Sequence, residues 1–133
     1  MQTIEADHMS LIKDLLAALS AGKPADAILL FTPNVVMNVP GRNVFSGAYR
    51  GREEVVKLLS RLREWTGGSM RVRLHDVLAN EQHGVVMYTV NATHNDRSVE
   101  YTYVDLYHFR DGQISEVWGT APDLYAFDEF YSE

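Results

Sequence analysis

The stretch from Val99 to Gly119, VEYTYVDLYHFRDGQISEVWG, constrains the fold more than any other part of the chain. It reads as two strands joined at Asp111-Gly112, because Asp-Gly between alternating runs favours a tight turn with positive φ. With a two-residue loop, Arg110 faces Gln113. Counting back then pairs Phe109 with Ile114, Tyr107 with Glu116, Asp105 with Trp118 and Tyr103 with Thr120. Strand side chains alternate, so these residues share one face. Directly opposed residues have Cβ atoms about 4.5–5.5 Å apart. The expected face carries Tyr101, Tyr103, Tyr107, Phe109, Ile114 and Trp118 around one carboxylate, Asp105. The other face carries Thr102, Val104, Leu106, His108, Ser115 and Val117.

An acid among aromatic rings is the sharpest chemical signal in the sequence. Burial disfavours the charged carboxylate and raises its pKa, which suits a proton donor or a base poised near neutrality. Two blander environments also fit Asp105: a wet rim, or a hydrogen bond to a tyrosine hydroxyl.

The 133 residues suit one domain, 1–133, with one sizeable core. No apolar run is long enough for a membrane span, and the amino terminus does not read as a secretory signal. Cysteine is absent, which excludes disulfides and thiol catalysis. The net charge is −6 with no Lys/Arg cluster, so no nucleic acid is expected as a partner. The default location is the cytoplasm.

Taken in order, Ala6 to Ala21 reads as a helix, with Met9, Ile12, Leu15, Leu16 and Leu19 at helical spacing, Asp7 as N-cap and Gly22 as terminator. Pro24 starts a short helix through about Phe31, broken at Asn34. Val35 to Val39 is a short strand with Val35, Met37 and Val39 on one face and Val36 and Asn38 on the other. The loop Arg42 to Arg50 carries Val44, Phe45 and Tyr49, which cover a pocket mouth or plug the end of a sheet. Gly51 to Trp65 is a third helix ended by Gly67-Gly68. Met70 to Leu78 is a strand that breaks alternation at His75-Asp76, as a bulge would. Val85 to His94 is the next strand. A loop over Asn95–Ser98 would set His94 opposite Val99 and Tyr88 opposite Asp105. In the tail, Leu124, Phe127, Phe130 and Tyr131 are expected to pack on the body, leaving Asp128 solvated and the role of Asp123 open. Helices followed by an antiparallel meander argue for α+β.

Three phrases, LLAALSAGKPADAILLFTPNVVMNVPG, SGAYRGREEVVKLL and VDLYHFRDGQISEVW, resemble in the same order the nuclear transport factor 2-like superfamily, and within it SnoaL-like and ketosteroid isomerase-like proteins. The closing PDLYAFDEFY resembles the tail of a SnoaL-like subgroup. The resemblance implies a cystatin-like α+β barrel: a cone-shaped, curved, mostly antiparallel sheet wrapped around N-terminal helices, with an apolar pocket. It also implies a homodimer, for which the outer face with Val104, Leu106 and Val117 is apolar enough.

Fold alone does not give function. Ketosteroid isomerases use a Tyr and a protonated Asp as oxyanion donors and a second Asp as base. Registering the phrases on that family puts Leu15 at the donor Tyr, Asn38 at the base and Asp105 at the donor Asp. Asn cannot accept a proton near neutral pH, which argues against that mechanism. Members similar to limonene epoxide hydrolase carry a W-x-D on the last strand; here it reads Trp118-Gly119-Thr120, and Thr cannot replace the acid. A SnoaL-like cyclase makes a looser demand, one acid moving a proton.

The expectation is therefore a pocket for a small hydrophobic molecule. Asp105 would act as acid/base, Tyr88 and Asn38 would polarise an oxygen, and Leu15, Met37, Tyr49, Tyr103, Trp118, Thr120 and Asp123 would line it. Such a protein would be a cofactor-independent cyclase, isomerase or lyase. The alternative is a binding or dimerisation module of the same fold without chemistry. The histidines lack ligand spacing and no phosphate loop is present, so no metal and no cofactor are expected.

Overall fold

A computed structural model describes residues 3–133. Helix α1 spans Ile4–Ser20 and is capped by Thr3, whose hydroxyl accepts from the Ala6 amide at 3.1 Å. Asp7, the expected cap, lies inside the first turn, where its charge still complements the helix dipole. Gly22 takes a φ of +70° just past the helix end. Pro24–Ala27 forms α2, and a 3-10 turn over Ile28–Leu30 leads straight into strand β1, Phe31–Val39. The expected strand began at Val35. It starts earlier because Phe31 already pairs with Ile114, with an irregularity before Val36 that accommodates Pro33 and Asn34.

The loop before Arg50 contains a short strand, β2 (Gly47–Arg50), antiparallel to β1. Helix α3 covers Gly51–Trp65, as the apolar spacing predicts. Strands β3 (Arg71–Ala79), β4 (His83–His94), β5 (Arg97–Arg110) and β6 (Gln113–Thr120) follow, and α4 (Leu124–Phe130) closes the chain. The tail is a helix because Asp123 caps it, accepting from the Ala126 amide at 3.1 Å.

All six strands form one curved, unclosed sheet in the order β2-β1-β6-β5-β4-β3. Only the β1–β6 pair is parallel. The break at His75 is a register shift between Leu74 and Asp76. Two other registers differ from expectation. The β4–β5 turn has two residues, Asn95 and Asp96, with Asn95 at φ 54°, so His94 faces Arg97 rather than Val99. Tyr88 therefore faces Tyr103, and Val86 faces Asp105.

The β5–β6 turn is as expected, with Asp111 and Gly112 both at positive φ and Arg110 opposite Gln113. A bulge then inserts Ser115 between Phe109↔Ile114 and His108↔Glu116. Every later β6 residue changes face, since side chains alternate with period two. Asp105 thus faces Gly119, Tyr107 faces Val117, and Trp118 faces Leu106. The expected pairs of Asp105 with Trp118 and Tyr103 with Thr120 do not form. Val117, expected on the outer face, is buried in the core.

The concave side of the sheet holds the core. Ile12, Leu15 and Leu16 of α1 and Val55 and Leu58 of α3 pack there against Val86, Val90, Tyr107, Ile114 and Val117. Phe127, Phe130 and Tyr131 of the tail join them. Leu124, expected to pack, is 42% exposed at the start of α4. The tail is fastened by polar contacts. Asp128 accepts from the Arg42 amide and from Asn43 Nδ2 at 3.0 and 2.8 Å, and Arg97 donates to the carbonyls of Glu129, Phe130 and Ser132. Asp128, expected to be solvated, is thus half-buried and tied to the loop after β1.

Candidate functional site

The helices do not fill the concave side completely. A cavity of about 130 Å³ remains between them and the sheet. Its walls are Leu15, Leu16 and Leu19 from α1 and Leu58, Leu59 and Leu62 from α3. Met37, Val39, Val72, Val90 and Val117 form the sheet side, and Phe127 and Tyr131 close one end. Polar groups are few and lie mostly on one strand: Asp105 with Tyr101, Tyr103 and Tyr107 of β5, and Tyr88 of neighbouring β4. An apolar cavity with a few converging polar groups is the usual form of a small-molecule site.

Alternation along β5 places these groups together. Asp105 is 7% exposed. Its Oδ2 accepts from the Tyr88 hydroxyl at 2.8 Å and from the Tyr107 hydroxyl at 3.1 Å. Oδ1 accepts from neither tyrosine, and Asp105 lines the cavity. Burial pushes the carboxyl up to about 6, and the two tyrosine hydrogen bonds, which favour the anion, only partly oppose it. Both protonation states are accordingly accessible near neutral pH. The Tyr88 and Tyr107 hydroxyls are held well above the usual phenol range, first by burial and then by the adjacent carboxylate, so they stay protonated as donors.

Tyr103 also lines the cavity beside Asp105, and burial followed by that carboxylate keeps its hydroxyl protonated. Its phenol lies over Gly119, the residue opposite Asp105, where any Cβ would overlap the hydroxyl. Tyr101 instead shares a 2.6 Å hydrogen bond with the Tyr131 hydroxyl, which ties the tail helix to β5.

The structure brings together six of the expected residues: Leu15, Met37, Asn38, Tyr88, Tyr103 and Asp105 all line the cavity. Asn38 does so without offering its amide. Its Nδ2 donates to the Val117 carbonyl at 3.0 Å and, more weakly, to Glu116 at 3.4 Å. Tyr88 directs its hydroxyl to Asp105, so it orients the acid rather than facing an oxygen in the cavity.

Four expected residues lie elsewhere. Trp118 is turned to the convex face by the bulge and packs edge-on against His108, with centroids 4.6 Å apart. Thr120 is on the same face, its hydroxyl donating to the Val104 carbonyl at 2.9 Å. Tyr49 donates to the Phe45 carbonyl at 2.7 Å, bracing its own loop while Phe45 reaches the cavity. Asp123 is the exposed cap of α4. Conversely, Tyr101, Tyr107 and Tyr131 line the cavity without having been expected there as site residues. The alternation along β5 already put Tyr107 beside the acid, whereas no local signal brought Tyr131 to it. Among the described residues no cluster of three or more His, Asp or Glu is placed to hold a metal ion, and no helix is long and apolar enough to cross a membrane.

A six-stranded sheet curved around helices is a fold shared with proteins of known structure. The SnoaL-like domain profile matches residues 12–117, and the chain belongs to that family. An uncharacterized protein of Mycobacterium tuberculosis (strain H37Rv) is 28% identical over 131 residues, covering 98% of this chain and 99% of its own. Among solved structures, Bal32a from a soil-derived mobile gene cassette superposes with a TM-score of 0.93 at 23% identity, covering 97% of this chain and 99% of its own. A candidate SnoaL-like polyketide cyclase from Jannaschia sp. CCS1 superposes at 0.82 with 19% identity, covering 99% and 96%. At these identities the superpositions establish the shared fold.

Proposed function

We propose that the cavity binds a small apolar molecule and that Asp105 moves a proton on it without a cofactor, as an isomerase, cyclase or lyase would. The observation that carries this reading is the state of the carboxyl. It is buried, its pKa is near 6, and one oxygen is held by two tyrosines while the other is left for a ligand. A base with a pKa near the working pH is the most effective proton carrier. As carboxylate, Asp105 would take a proton from a carbon next to a carbonyl, leaving an enolate. The resulting acid would return that proton at the same carbon or at a conjugated one. Tyr103, which lines the cavity with its hydroxyl over Gly119, the residue opposite Asp105, is the donor left to hold the developing oxyanion.

The reading is tested by incubating the protein with an enolisable one-ring ketone such as phenylacetone in D2O and following deuterium uptake by NMR. Exchange above the buffer rate, lost in Asp105→Asn and rising with pH through a group near 6, supports proton transfer. Exchange undiminished in Asp105→Asn removes Asp105 from the chemistry. Binding without exchange favours the alternative, a ligand-binding module.

One observation favours assembly as well. The convex face exposes Leu106 at 41% and Leu78 at 52%, next to Val85, Met87, Val104 and Trp118. A homodimer through this face would cover them. Sedimentation at micromolar concentration is expected to give a dimer that Leu106→Glu dissociates; a monomeric native chain would refute the assembly.

A further inference from the structure

A second hollow, of about 80 Å³, lies beside the first. Leu19, Ser20, Leu59, Leu62 and Met70 line both, so the two meet between the C-terminal ends of α1 and α3. The outer hollow has a different character. Beyond the shared apolar rim it is bounded by Gly22, Thr66 and Gly68 and by two guanidinium groups, Arg63 and Arg71.

Neither arginine is neutralised. Among the described residues the one ion pair is Lys57–Glu53, remote in character as an exposed helical pair. Arg71 is held in place by its own backbone surroundings, Nη1 donating to the carbonyls of Gly68 at 3.1 Å and Met70 at 2.9 Å. The Arg63 guanidinium lies against Gly22, where a Cβ would overlap it. A guanidinium at the ends of α1 and α3 also complements their dipoles. With Arg71 Nη1 committed to the two carbonyls, Arg71 Nη2 and Nε and the Arg63 guanidinium make no side-chain hydrogen bond among the described residues, and guanidinium donors match a carboxylate. On a chain of net charge −6, an uncompensated pair of arginines at a cavity mouth is a local reversal of sign.

Size gives the second argument. An apolar cavity of roughly 150 Å³ admits one benzene ring. The inner cavity, at about 130 Å³, therefore encloses about one ring, and a longer molecule must emerge at its mouth. There it meets Arg63 and Arg71.

Resting on the proposed ligand site, we infer that the outer hollow is an anion subsite and that the ligand is an amphiphilic organic acid. Its apolar body lies in the inner cavity and its carboxylate is held between Arg63 and Arg71. The acid chemistry at Asp105 then acts on the far end of a molecule anchored by its carboxylate.

The test compares 4-phenylbutyrate with 4-phenylbutanamide, which share the ring and tether and differ in charge. Binding is read at neutral pH and low salt from backbone amide shifts of Val90 and Asp105, with Arg63 and Arg71 amides reporting the outer hollow. The acid is expected to bind about tenfold tighter, as a solvent-facing charge-assisted contact allows, and the difference is expected to shrink with added salt. In the double variant Arg63→Gln, Arg71→Gln the two affinities should converge while the amide keeps its native affinity, which also shows that the variant is folded. Equal binding of acid and amide to the native protein overturns the subsite and leaves the cavity reading standing. So does a preference for the acid that survives in the double variant. Absence of shifts at Val90 and Asp105 with either compound overturns both.

Discussion

The two faces of β5 meet opposite circumstances, with tyrosines and an acid on one and smaller side chains such as Val104 and Leu106 on the other. On the concave side Tyr101, Asp105 and Tyr107 are buried, and each makes a hydrogen bond to another side chain there. On the convex side Val104 and Leu106 are apolar and partly open. The concave face is fixed by many side-chain contacts, whereas the convex face keeps exposed apolar side chains such as Leu106. A buried hydroxyl–carboxyl network is costly unless every member is paired. Asp105 Oδ2 is paired twice, whereas Oδ1 accepts from neither tyrosine.

The comparison breaks first, and with the largest effect, at adjacent residues. Tyr107→Ala should lower the unfolding free energy by about 3–5 kcal/mol, the usual range for deleting a buried ring. Leu106→Ala should change it by roughly 0.5 kcal/mol in the isolated chain. Urea unfolding of the pair decides this, and similar losses would mean that the convex face is as tightly packed as the concave one.

The next effect depends on pH. The folded chain raises Asp105 from an ordinary carboxyl to about 6, so it holds this proton more tightly than the unfolded chain does. That contribution to stability is fully present below about pH 4 and is lost as pH rises to about 6. Asp105→Asn keeps an uncharged acceptor for the tyrosines. Relative to the native chain, the variant should gain up to about 3 kcal/mol between pH 4 and pH 8. A pH-independent difference would place the carboxylate in water.

A smaller loss, about 1–3 kcal/mol, is expected for Gly119→Ala, because the added methyl must displace the Tyr103 ring. Deuterium uptake by the ketone should fall with it if Tyr103 holds the oxyanion. The smallest effect sharpens the account of the acid. Tyr88→Phe removes one donor to Oδ2 at a cost of about 1 kcal/mol. It should also raise the Asp105 titration midpoint, read by carbon-13 NMR, since the lost bond favours the anion. Tyr101→Phe, whose hydroxyl bonds Tyr131 instead, serves as the control that leaves the midpoint nearly in place.

The sequence carried the architecture because it is written in local patterns. Helix α3 was bounded by spacing and by its terminal glycines, and the β5–β6 turn was bounded by Asp111-Gly112. Within the site, alternation alone assembled Tyr103, Asp105 and Tyr107 on one face, and the buried carboxyl follows from their company. Thr3 capping α1 in place of Asp7 shows the limit of such patterns, since two residues with equal capping chemistry stood four positions apart.

What the chain order alone determined, then, is each strand's own two faces, the turns between them and the presence of one acid among rings. Which neighbours those faces meet was decided by the tertiary structure. One inserted residue, Ser115, turned Trp118 and Thr120 away from the acid and brought Gly119 to it. A two-residue turn at Asn95 moved Tyr88 one diagonal along, from where its hydroxyl still reaches Asp105. The tail came to the cavity through contacts between distant residues, Tyr131 to Tyr101 and Asp128 to Asn43, 30 and 85 positions apart. Alternation is a property of one strand and is visible in its residues. Register, closure and the space left between helices and sheet are properties of several elements at once, and only their packing sets them.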